Sequence, residues 1–288
     1  MHASYAPTIL VFDSGLGGLT VFREVVKARP DAHYVYVADD AFFPYGRHAE
    51  AALIARLVPL MGKLIGEFRP DLVVIACNTA STLVLTHLRA AYSVPFVGTV
   101  PAIKPACASS KTRLVSVLGT EATVAREYTR KLIRDFGQGC EIALVGSARL
   151  ASLAEAALRA EPVEDAAILA EIAPCFIERD GRRTDTVALA CTHYPLLLDR
   201  FERLAPWPVA WVDPAPAIAR RVVQLLGPAT VSAARSNRDR IVFTSERPPS
   251  QALAAALARF GLRADGDAAG DPDKAALPQG RSIDTRFL

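Results

Sequence analysis

The sequence predicts an α/β protein made of two pseudo-symmetric α/β domains, with mainly parallel sheets that face each other across a cleft. Strand-like and helix-like segments alternate along the chain, and this alternation is typical of parallel sheets. A short motif that ends at Cys77 recurs at Cys191, 114 residues later. Matched points in the two halves are offset by 106 to 114 residues, so the spacing is close to constant. These observations together indicate a duplicated unit.

In the first half, short apolar runs predict strands and apolar residues at a spacing of three to four predict helices. In chain order we predict a strand at 8–12, a helix at 19–28, a strand at 33–38, a helix within 49–68, a strand at 72–76, a helix at 79–92 and a strand at 95–100. The glycine-rich segment 13–18 forms the turn between the first strand and the first helix. Segment 39–48 is predicted as a loop because it contains Pro44 and Gly46.

The second half repeats this plan. We predict a strand at 114–118, a helix at 123–136, a strand at 141–145, helices at 149–159 and 164–179, and a strand at 187–190. The following segments, 209–212, 216–226, 240–243 and 251–260, read as strand, helix, strand and helix that return to the first half. The expected first domain is therefore 1–98 with 210–263, and the second is 99–209. Residues 264–288 lack apolar periodicity and are expected to be a disordered tail.

Composition excludes several classes of protein. The 288 residues carry 33 basic and 30 acidic side chains, a net charge of +3, without the basic stripe that nucleic-acid binding uses. No apolar run has membrane-spanning length, and the N-terminus lacks the features of a signal peptide. The five cysteines are far apart, which argues against a zinc or disulfide framework. We therefore expect a cytoplasmic protein that acts on a small molecule, with no metal, nucleic-acid or membrane partner.

The two cysteine motifs are the strongest candidates for chemistry. In each motif an aspartate stands six residues before the cysteine and an apolar run follows it, so Cys77 and Cys191 end buried strands. Open α/β sheets bind ligands at the carboxyl ends of their strands. Each cysteine also precedes a predicted helix, whose free N–H groups are expected to lower the pKa of the thiol and to bind a carboxylate. Cys107, Cys140 and Cys175 are interpreted as small buried hydrophobic residues.

Four further positions have both a functional and a purely structural interpretation. Asp13 and Ser14 lie in the glycine-rich turn, where the carboxylate can accept from an ammonium group and the hydroxyl can bind a carboxylate; the alternative is a tight turn alone. Tyr45 and Gly46 offer a hydroxyl and an amide, or only a loop. The Rossmann and P-loop spacings are absent from the turn.

Two more candidates are in the second half. His193 follows Cys191 closely enough to steer a proton, although a lone histidine is commonly a helix-capping or packing residue. Glu155 reads most simply as a solvated helix residue and is a lesser candidate. No lysine lies in a strand-end motif, so pyridoxal chemistry has no good candidate and no cofactor is expected.

Four motifs together resemble the signatures of the glutamate racemase family, part of the cofactor-independent aspartate/glutamate racemase superfamily. They are DSGLGGLT at 13–20, PYG at 44–46, ACNTAS at 76–81 and CTHYPL at 191–196. The resemblance extends from about residue 8 to residue 226. It implies two similar α/β domains that face each other across a cleft, with the chain returning to the first domain at its end.

The resemblance also implies roles for individual residues. Cys77 and Cys191 would be the two catalytic proton donors and acceptors. The substrate-binding residues would be Asp13, Ser14, Tyr45, Gly46, Asn78, Thr79, Thr192 and His193. The sequence departs from the family pattern at Arg47-His48 and at Ala190. It also lacks the apolar, proline-containing segment that commonly precedes a family glutamate, so Glu155 has no assigned role.

The function implied is interconversion of L- and D-glutamate by proton transfer at Cα, supplying D-glutamate for peptidoglycan synthesis. A racemase of the same superfamily that acts on aspartate or a hydantoin is the nearest alternative. A non-catalytic regulatory binding protein on this scaffold, or more remotely a nucleotide-binding regulator, belongs to a different class. A homodimer is compatible with the resemblance, because assembly varies in this family.

Overall fold

The computed structural model describes residues 6–229 and 239–264. Its strands are β1 Thr8–Asp13, β2 His33–Ala38, β3 Leu72–Ile75, β4 Phe96–Gly98, β5 Leu114–Thr120, β6 Glu141–Ser147, β7 Glu178–Arg179, β8 Arg182–Arg183, β9 Thr186–Ala190, β10 Ala210–Val212, β11 Arg240–Phe243 and β12 Arg263–Ala264. Its α-helices are α1 Leu19–Ala28, α2 Glu50–Phe68, α3 Asn78–Ala91, α4 Ile103–Ser109, α5 Glu121–Ala125, α6 Glu127–Phe136, α7 Leu150–Leu158, α8 Asp165–Ile172, α9 Leu198–Leu204, α10 Ala215–Leu226 and α11 Gln251–Arg259. The expected tail lies outside the described residues, apart from residue 264.

Two parallel sheets confirm the predicted fold class. The first sheet has the strand order β12-β11-β2-β1-β3-β4, and the second has the order β10-β9-β5-β6. The core of the first sheet, β2-β1-β3-β4, is repeated in the second as β6-β5-β9-β10, so the matched strands stand in the same order. All pairs within these two sheets are parallel. We call the elements around these sheets the first unit and the second unit.

The strand at 210–212 differs from expectation. Ala210 pairs with Thr186 and Val212 with Ala188, so β10 is an edge strand of the second sheet. The expected domain boundary at residue 210 is therefore too early, and the chain returns to the first unit after Val212. β11 then adds to β2, with Arg240 beside Val35, as the prediction of a returning segment requires.

Two helical predictions are corrected in the second unit, and one helix there was not predicted. The helix predicted over 164–179 ends at Ile172, close to Pro174, and Asp180 and Gly181 form a two-residue turn between β7 and β8. Both turn residues have positive φ, 52° and 70°, as a type I′ hairpin requires. The helix predicted over 123–136 is broken into α5 and α6 at Arg126, whose backbone is extended. Helix α4 was not predicted.

Alternating side chains of β1 pack on opposite faces of the first sheet, because successive residues of a strand point in opposite directions. Ile9 and Val11 join the cluster that contains α1 and α10, whereas Leu10 and Phe12 join the cluster under α2 and α3. Burying a side chain of this size stabilises the fold by about 1.5–3 kcal/mol. This packing fixes the carboxyl end of β1, where Asp13 begins the glycine-rich turn. Within residues 6–229 and 239–264, no helix has the length and apolar character needed to cross a bilayer.

Candidate active site

The two motif cysteines lie at equivalent strand ends and line one shared cavity. Cys77 follows β3 and is the N-cap of α3, and Cys191 follows β9 directly. The cavity between the two units has a volume of about 20 Å³. Its lining residues are Ser14, Phe43, Pro44, Tyr45, Gly46, Cys77, Asn78, Thr79, Thr120, Ala151, Cys191, Thr192 and His193. A thiol from each half of the duplicated chain therefore faces the same space.

Nine of the ten residues predicted for the site line this cavity, and the tenth, Asp13, lies behind it. The Oδ1 atom of Asp13 accepts a hydrogen bond from the Thr192 hydroxyl at 3.1 Å. Four lining residues are not among those predicted: Phe43, Pro44, Thr120 and Ala151. Thr120 had a usable signal, because it ends β5 as Asp13 ends β1, at the matching point of the duplication.

The environment of Cys77 reverses the expected direction of its pKa shift. Burial, together with the charges of Asp13 and Cys191, raises the pKa of the Cys77 thiol to about 12. The N–H group of Ala80 and the hydroxyl of Ser14, 3.7 Å from Sγ, lower the pKa but do not offset the burial. The helix N-terminus is therefore present as predicted, but removal from water dominates in this closed arrangement.

Cys191 stands at the end of a chain of polar groups that reaches a buried carboxylate. Its Sγ lies 3.8 Å from Nδ1 of His193, and Nε2 of His193 lies 3.0 Å from Oε1 of Glu155. As an imidazolium, His193 donates from Nε2 to Glu155. As the neutral tautomer protonated on Nδ1, it accepts the N–H of Gly17 at Nε2, 3.2 Å away. Nε2 of His193 therefore has a hydrogen-bond partner in either protonation state, so the ring is able to take up and release a proton.

The pKa values of His193 and Glu155 are shifted in opposite directions, upward for the histidine and downward for the glutamate. Burial opposes the charged imidazole, yet the contacts with Cys191 and Glu155 and the charge of Asp13 raise the pKa of His193 well above its ordinary value. Burial also opposes ionisation of Glu155, but the His193 contact, the Leu16 N–H and the charge of Arg159 hold the pKa of the carboxyl below its ordinary value. The geometry therefore favours an imidazolium–carboxylate pair.

Glu155 and His193 also join the two units. Oε1 of Glu155 accepts the N–H of Leu16 at 2.6 Å, across 139 positions of sequence. A Cβ on Gly15 would collide with that oxygen, and a Cβ on Gly17 would lie 2.6 Å from the backbone nitrogen of His193. Side chains of the second unit therefore pack directly against the backbone of the glycine-rich turn, where only glycine leaves room for them. The sequence alone did not reveal this role.

Asp13 is fully buried at the start of the glycine-rich turn. Its carboxylate accepts the N–H of Gly15 at 3.1 Å as well as the Thr192 hydroxyl. Burial raises the pKa of Asp13, and the charge of His193 and these hydrogen bonds lower it in part. The Thr20 hydroxyl donates to the Thr192 carbonyl at 3.1 Å, so the two units share several hydrogen bonds at this edge of the cavity.

Asn78 is the clearest candidate for ligand contact. Its side chain is buried, yet neither its amide nitrogen nor its amide oxygen has a hydrogen-bond partner among the described residues. Leaving a buried polar group unpaired costs about 1–3 kcal/mol, so such a group points to a ligand. Its neighbour Thr79 instead contacts the second unit, with its hydroxyl 3.2 Å from that of Thr120 and 3.1 Å from that of Thr123.

Tyr45 and Gly46 also line the cavity. The hydroxyl of Tyr45, predicted as a group offered to the site, donates to Oδ2 of Asp39 at 2.6 Å. Gly46 faces the second unit, where a Cβ would lie 3.4 Å from Cβ of Thr120. The backbone of this loop, rather than the tyrosine hydroxyl, is thus the part directed at the cavity. In the described part of the chain, no group of three His, Cys, Asp or Glu side chains is placed to hold a metal ion.

Replacing Glu155 with glutamine should change how stability depends on pH. The raised pKa of His193 contributes stability that is fully present below about pH 6.5 and is lost as pH rises through the folded pKa. The lowered pKa of Glu155 contributes stability that is present above about pH 4.5 and is lost as pH falls. Without the carboxylate the pKa of His193 rises less, so we expect the loss of stability above about pH 6.5 to become shallower in the variant.

Urea unfolding at a series of pH values measures this effect. Glu161→Gln is the matched control, because Glu161 is exposed and just beyond the end of α7. The control should follow the wild type at every pH. Parallel curves for wild type and Glu155→Gln above pH 6.5 would contradict the assigned imidazolium–carboxylate pair.

Comparison with known proteins identifies relatives over most of the chain. A model of the Asp/Glu/Hydantoin racemase family matches residues 11–222. The glutamate racemase of Brucella anthropi is 56% identical over 255 residues, which are 88% of this chain and 92% of the relative. That of Brucella canis is 55% identical over 256 residues, with the same coverage. The crystal structure of Escherichia coli glutamate racemase in complex with L-glutamate and activator UDP-MurNAc-ala is 38% identical, with a TM-score of 0.81, covering 90% of this chain and 97% of that one.

With two α/β units of matching strand order and racemase relatives over most of its length, the chain is an amino acid racemase, an isomerase. The chain belongs to the Asp/Glu/hydantoin racemase family. The resemblance expected from the four sequence motifs is therefore confirmed.

Proposed function

We propose that this chain is a glutamate racemase that interconverts L- and D-glutamate by proton transfer between Cα and two cysteines. The observation that carries the proposal is the placement of Cys77 and Cys191 on one cavity, one from each unit. Inverting a stereocentre requires removal of a proton from one face and delivery of a proton to the other. A thiol from each side of a cleft meets that requirement without a rearrangement of the substrate.

The choice of glutamate rests on the relatives. Proteins named glutamate racemase are 55–56% identical to this chain over 88% of its length. The E. coli glutamate racemase, 38% identical, has been crystallised with L-glutamate. Asn78, with both amide atoms free of partners among the described residues, is suited to bind a substrate carboxylate or ammonium group.

The proposed roles of the two thiols follow from their environments. Burial raises the pKa of Cys77 to about 12, so Cys77 is the protonated thiol and proton donor in the closed state. Cys191 lies 3.8 Å from Nδ1 of His193, so the imidazole can accept the thiol proton when Cys191 acts as the base. The active form thus contains one acid and one base, and their roles exchange after each turnover.

The Cα proton of an amino acid is very weakly acidic, so the site must stabilise the charge that develops on the substrate. Amide and hydroxyl groups at the ends of β1, β3 and β9 would bind the carboxylate as it takes up negative charge. Ser14, Thr79 and Thr192 line the cavity and supply such groups. In a buried site these hydrogen bonds are stronger than in water, because water no longer competes for them.

Substrate entry requires the units to separate. A cavity of about 20 Å³ has room for about one water molecule, which is far less than glutamate needs. We therefore assign the two units as domains, with residues up to 98 and those after 212 in the first and 99–212 in the second. The domains open to admit substrate and close on it, through the two chain crossings between them.

A chiral assay without added cofactor tests the proposal. We expect L-glutamate to yield D-glutamate, and the reverse, until the two are equal, because enantiomers have equal free energies in water. In deuterated water the product enantiomer should carry deuterium at Cα from the first turnover, since the thiol that delivers the proton exchanges with solvent.

Aspartate and hydantoins, tested in parallel, control for substrate identity. Faster turnover of either would assign the chain to that substrate instead. Product that retains the original Cα hydrogen would contradict proton transfer through exchangeable thiols.

We extend the proposal to cellular role, location and assembly. A cytoplasmic enzyme would supply D-glutamate for peptidoglycan, and rescue of a bacterial D-glutamate auxotroph by expression of this chain tests that role. Light scattering on the purified protein tests for the homodimer that is compatible with the resemblance, with a monomeric mass as the contrary result.

A further inference from the structure

We propose that Thr244, at the carboxyl end of β11, and Arg56, on α2, are positioning residues for the loop that binds substrate. They act through the buried carboxylate of Asp39, which holds Tyr45. The inference goes beyond the proposed function, and it rests on that function only where racemisation is the readout.

Asp39 is a fully buried carboxylate at the end of β2, and its oxygen atoms are saturated by side-chain donors. Arg56 donates from Nε to Oδ2 at 2.8 Å and from Nη2 to Oδ1 at 2.6 Å. The hydroxyl of Tyr45 donates to Oδ2 and that of Thr244 to Oδ1, each at 2.6 Å. One carboxylate therefore ties β2, the loop after it, α2 and the segment after β11 together.

The four hydrogen bonds to Asp39 depend on one another, because a buried carboxylate oxygen that loses a donor has no water to replace it. Each oxygen accepts two hydrogen bonds, so loss of one donor leaves a lone pair away from water. The carboxylate then has to turn toward solvent or draw another donor to itself. Either response moves the hydroxyl of Tyr45, because its oxygen has to stay within hydrogen-bond distance of the carboxylate.

Movement of Tyr45 is transmitted directly to the cavity. Phe43, Pro44, Tyr45 and Gly46 are consecutive lining residues. The ring of Phe43 lies 5.3 Å from that of His193, and Gly46 faces the side chain of Thr120. The loop therefore lines the cavity and contacts the second unit at two points.

A second set of contacts shows that the returning segment supports this loop specifically. The backbone N–H of Thr244 donates to the carbonyl of Ala38 at 3.0 Å, and its Oγ1 accepts the N–H of Ala41 at 3.3 Å. Ser245 donates its N–H to Oδ1 of Asp40 at 2.9 Å. The family match ends at residue 222, so these supports lie outside the part of the chain that the family model covers.

Thr244→Val tests the inference, because valine keeps the shape of threonine and removes only the hydroxyl. Thr244→Ser is the conservative variant that restores the donor. We expect the valine variant to raise KM for glutamate about tenfold with a smaller change in kcat, since the loop contributes to binding before and during the reaction. The serine variant should return KM close to the wild-type value. Arg56→Lys, which keeps the charge but loses the paired donors, should resemble the valine variant.

Ser250→Ala is the matched control for stability. Ser250 caps α11 in the same returning segment, through Leu253 N–H, without touching Asp39. It should lower the thermal midpoint but leave KM unchanged. A Thr244→Val variant that loses thermal stability with an unchanged KM would overturn the inference.

A readout without turnover separates this inference from the proposed function. The rate at which iodoacetamide alkylates Cys77, followed by mass spectrometry, should rise several-fold in Thr244→Val and stay at the wild-type value in Thr244→Ser and Ser250→Ala. A wild-type protein that does not racemise glutamate would refute the proposed function, and the alkylation rates would still decide the positioning role. Equal rates in wild type and Thr244→Val would refute that role.

Discussion

Replacing either Cys77 or Cys191 with serine is expected to reduce racemisation by at least about 10³-fold while leaving the protein folded. A serine hydroxyl is a far weaker acid than a thiol, so serine neither forms the base nor donates a proton readily at neutral pH. In the proposed mechanism one sulfur atom serves each face of Cα, so turnover requires both cysteines. Both side chains are nearly fully buried, and serine is slightly smaller than cysteine, so the fold should tolerate the change.

The loss must be equal in both directions when it is measured as kcat/KM. L- and D-glutamate have the same free energy, so the equilibrium constant is one for every variant. Rates alone therefore do not tell which cysteine serves which enantiomer. Hydrogen exchange at Cα does, because it requires only one base.

In Cys77→Ser, the remaining Cys191 can remove and return a proton on its own face of the substrate. We expect this variant to exchange the Cα hydrogen of one enantiomer with solvent, without inversion. Cys191→Ser should exchange only the other enantiomer. Proton NMR in deuterated water, on each pure enantiomer, measures both reactions.

Cys140→Ser is the matched control, because Cys140 is a partly exposed thiol outside the cavity. It should racemise at the wild-type rate. Near-normal turnover by Cys77→Ser or Cys191→Ser would refute the two-thiol mechanism. Exchange of the same enantiomer by both serine variants would refute the assignment of one cysteine to each face.

The sequence predicts the parts of this site that depend on local pattern. An aspartate, an apolar run and a cysteine, twice over, were enough to place Cys77 and Cys191 at equivalent strand ends, and the structure has them there. The same pattern predicts the duplicated plan of strands and helices, and the structure adds that the matched strands stand in the same order in the two sheets. The edge strand β10 was misassigned because three residues of edge strand carry no information about which sheet they join.

Other parts of the site depend on distance and burial, which no local pattern contains. The direction of the pKa shift of Cys77 is set by removal from water, and this depends on how the two units meet. Thr244 lies 205 positions after Asp39, so nothing near either residue signals their contact. Glu155 reads as an ordinary helix residue until its carboxylate is seen at the glycine-rich turn. The sequence thus predicts the candidate reactive groups, and the structure adds the distant residues that surround them and hold them in place.

Gly17→Ala is expected to reduce kcat/KM by about 10²-fold by preventing the units from closing. Gly17 is not among the glycines with positive φ, so its backbone conformation is open to alanine. The site has no room for the methyl group of alanine, because this group would lie 2.6 Å from the backbone nitrogen and from Cγ of His193. Real contacts of this kind are longer, and a backbone atom cannot turn away as a flexible side chain can. The second unit would have to withdraw, carrying Cys191 away from the substrate.

An open cleft has a second consequence that separates this cause from simple misfolding. The pKa of Cys77 is raised to about 12 chiefly by burial, so exposure to water lowers it and increases the thiolate fraction. We therefore expect Gly17→Ala to be alkylated faster at Cys77 than the wild type, although it is the slower racemase. Steady-state kinetics and mass spectrometry of the alkylated protein measure the two effects.

Gly66→Ala, in α2 where a Cβ meets nothing within 4 Å, is the matched control and should keep wild-type rates while gaining up to about 1 kcal/mol of stability. If Gly17→Ala racemises glutamate as fast as Gly66→Ala, contact between the glycine-rich turn and His193 is not needed for catalysis, and the closed arrangement is not the reactive one.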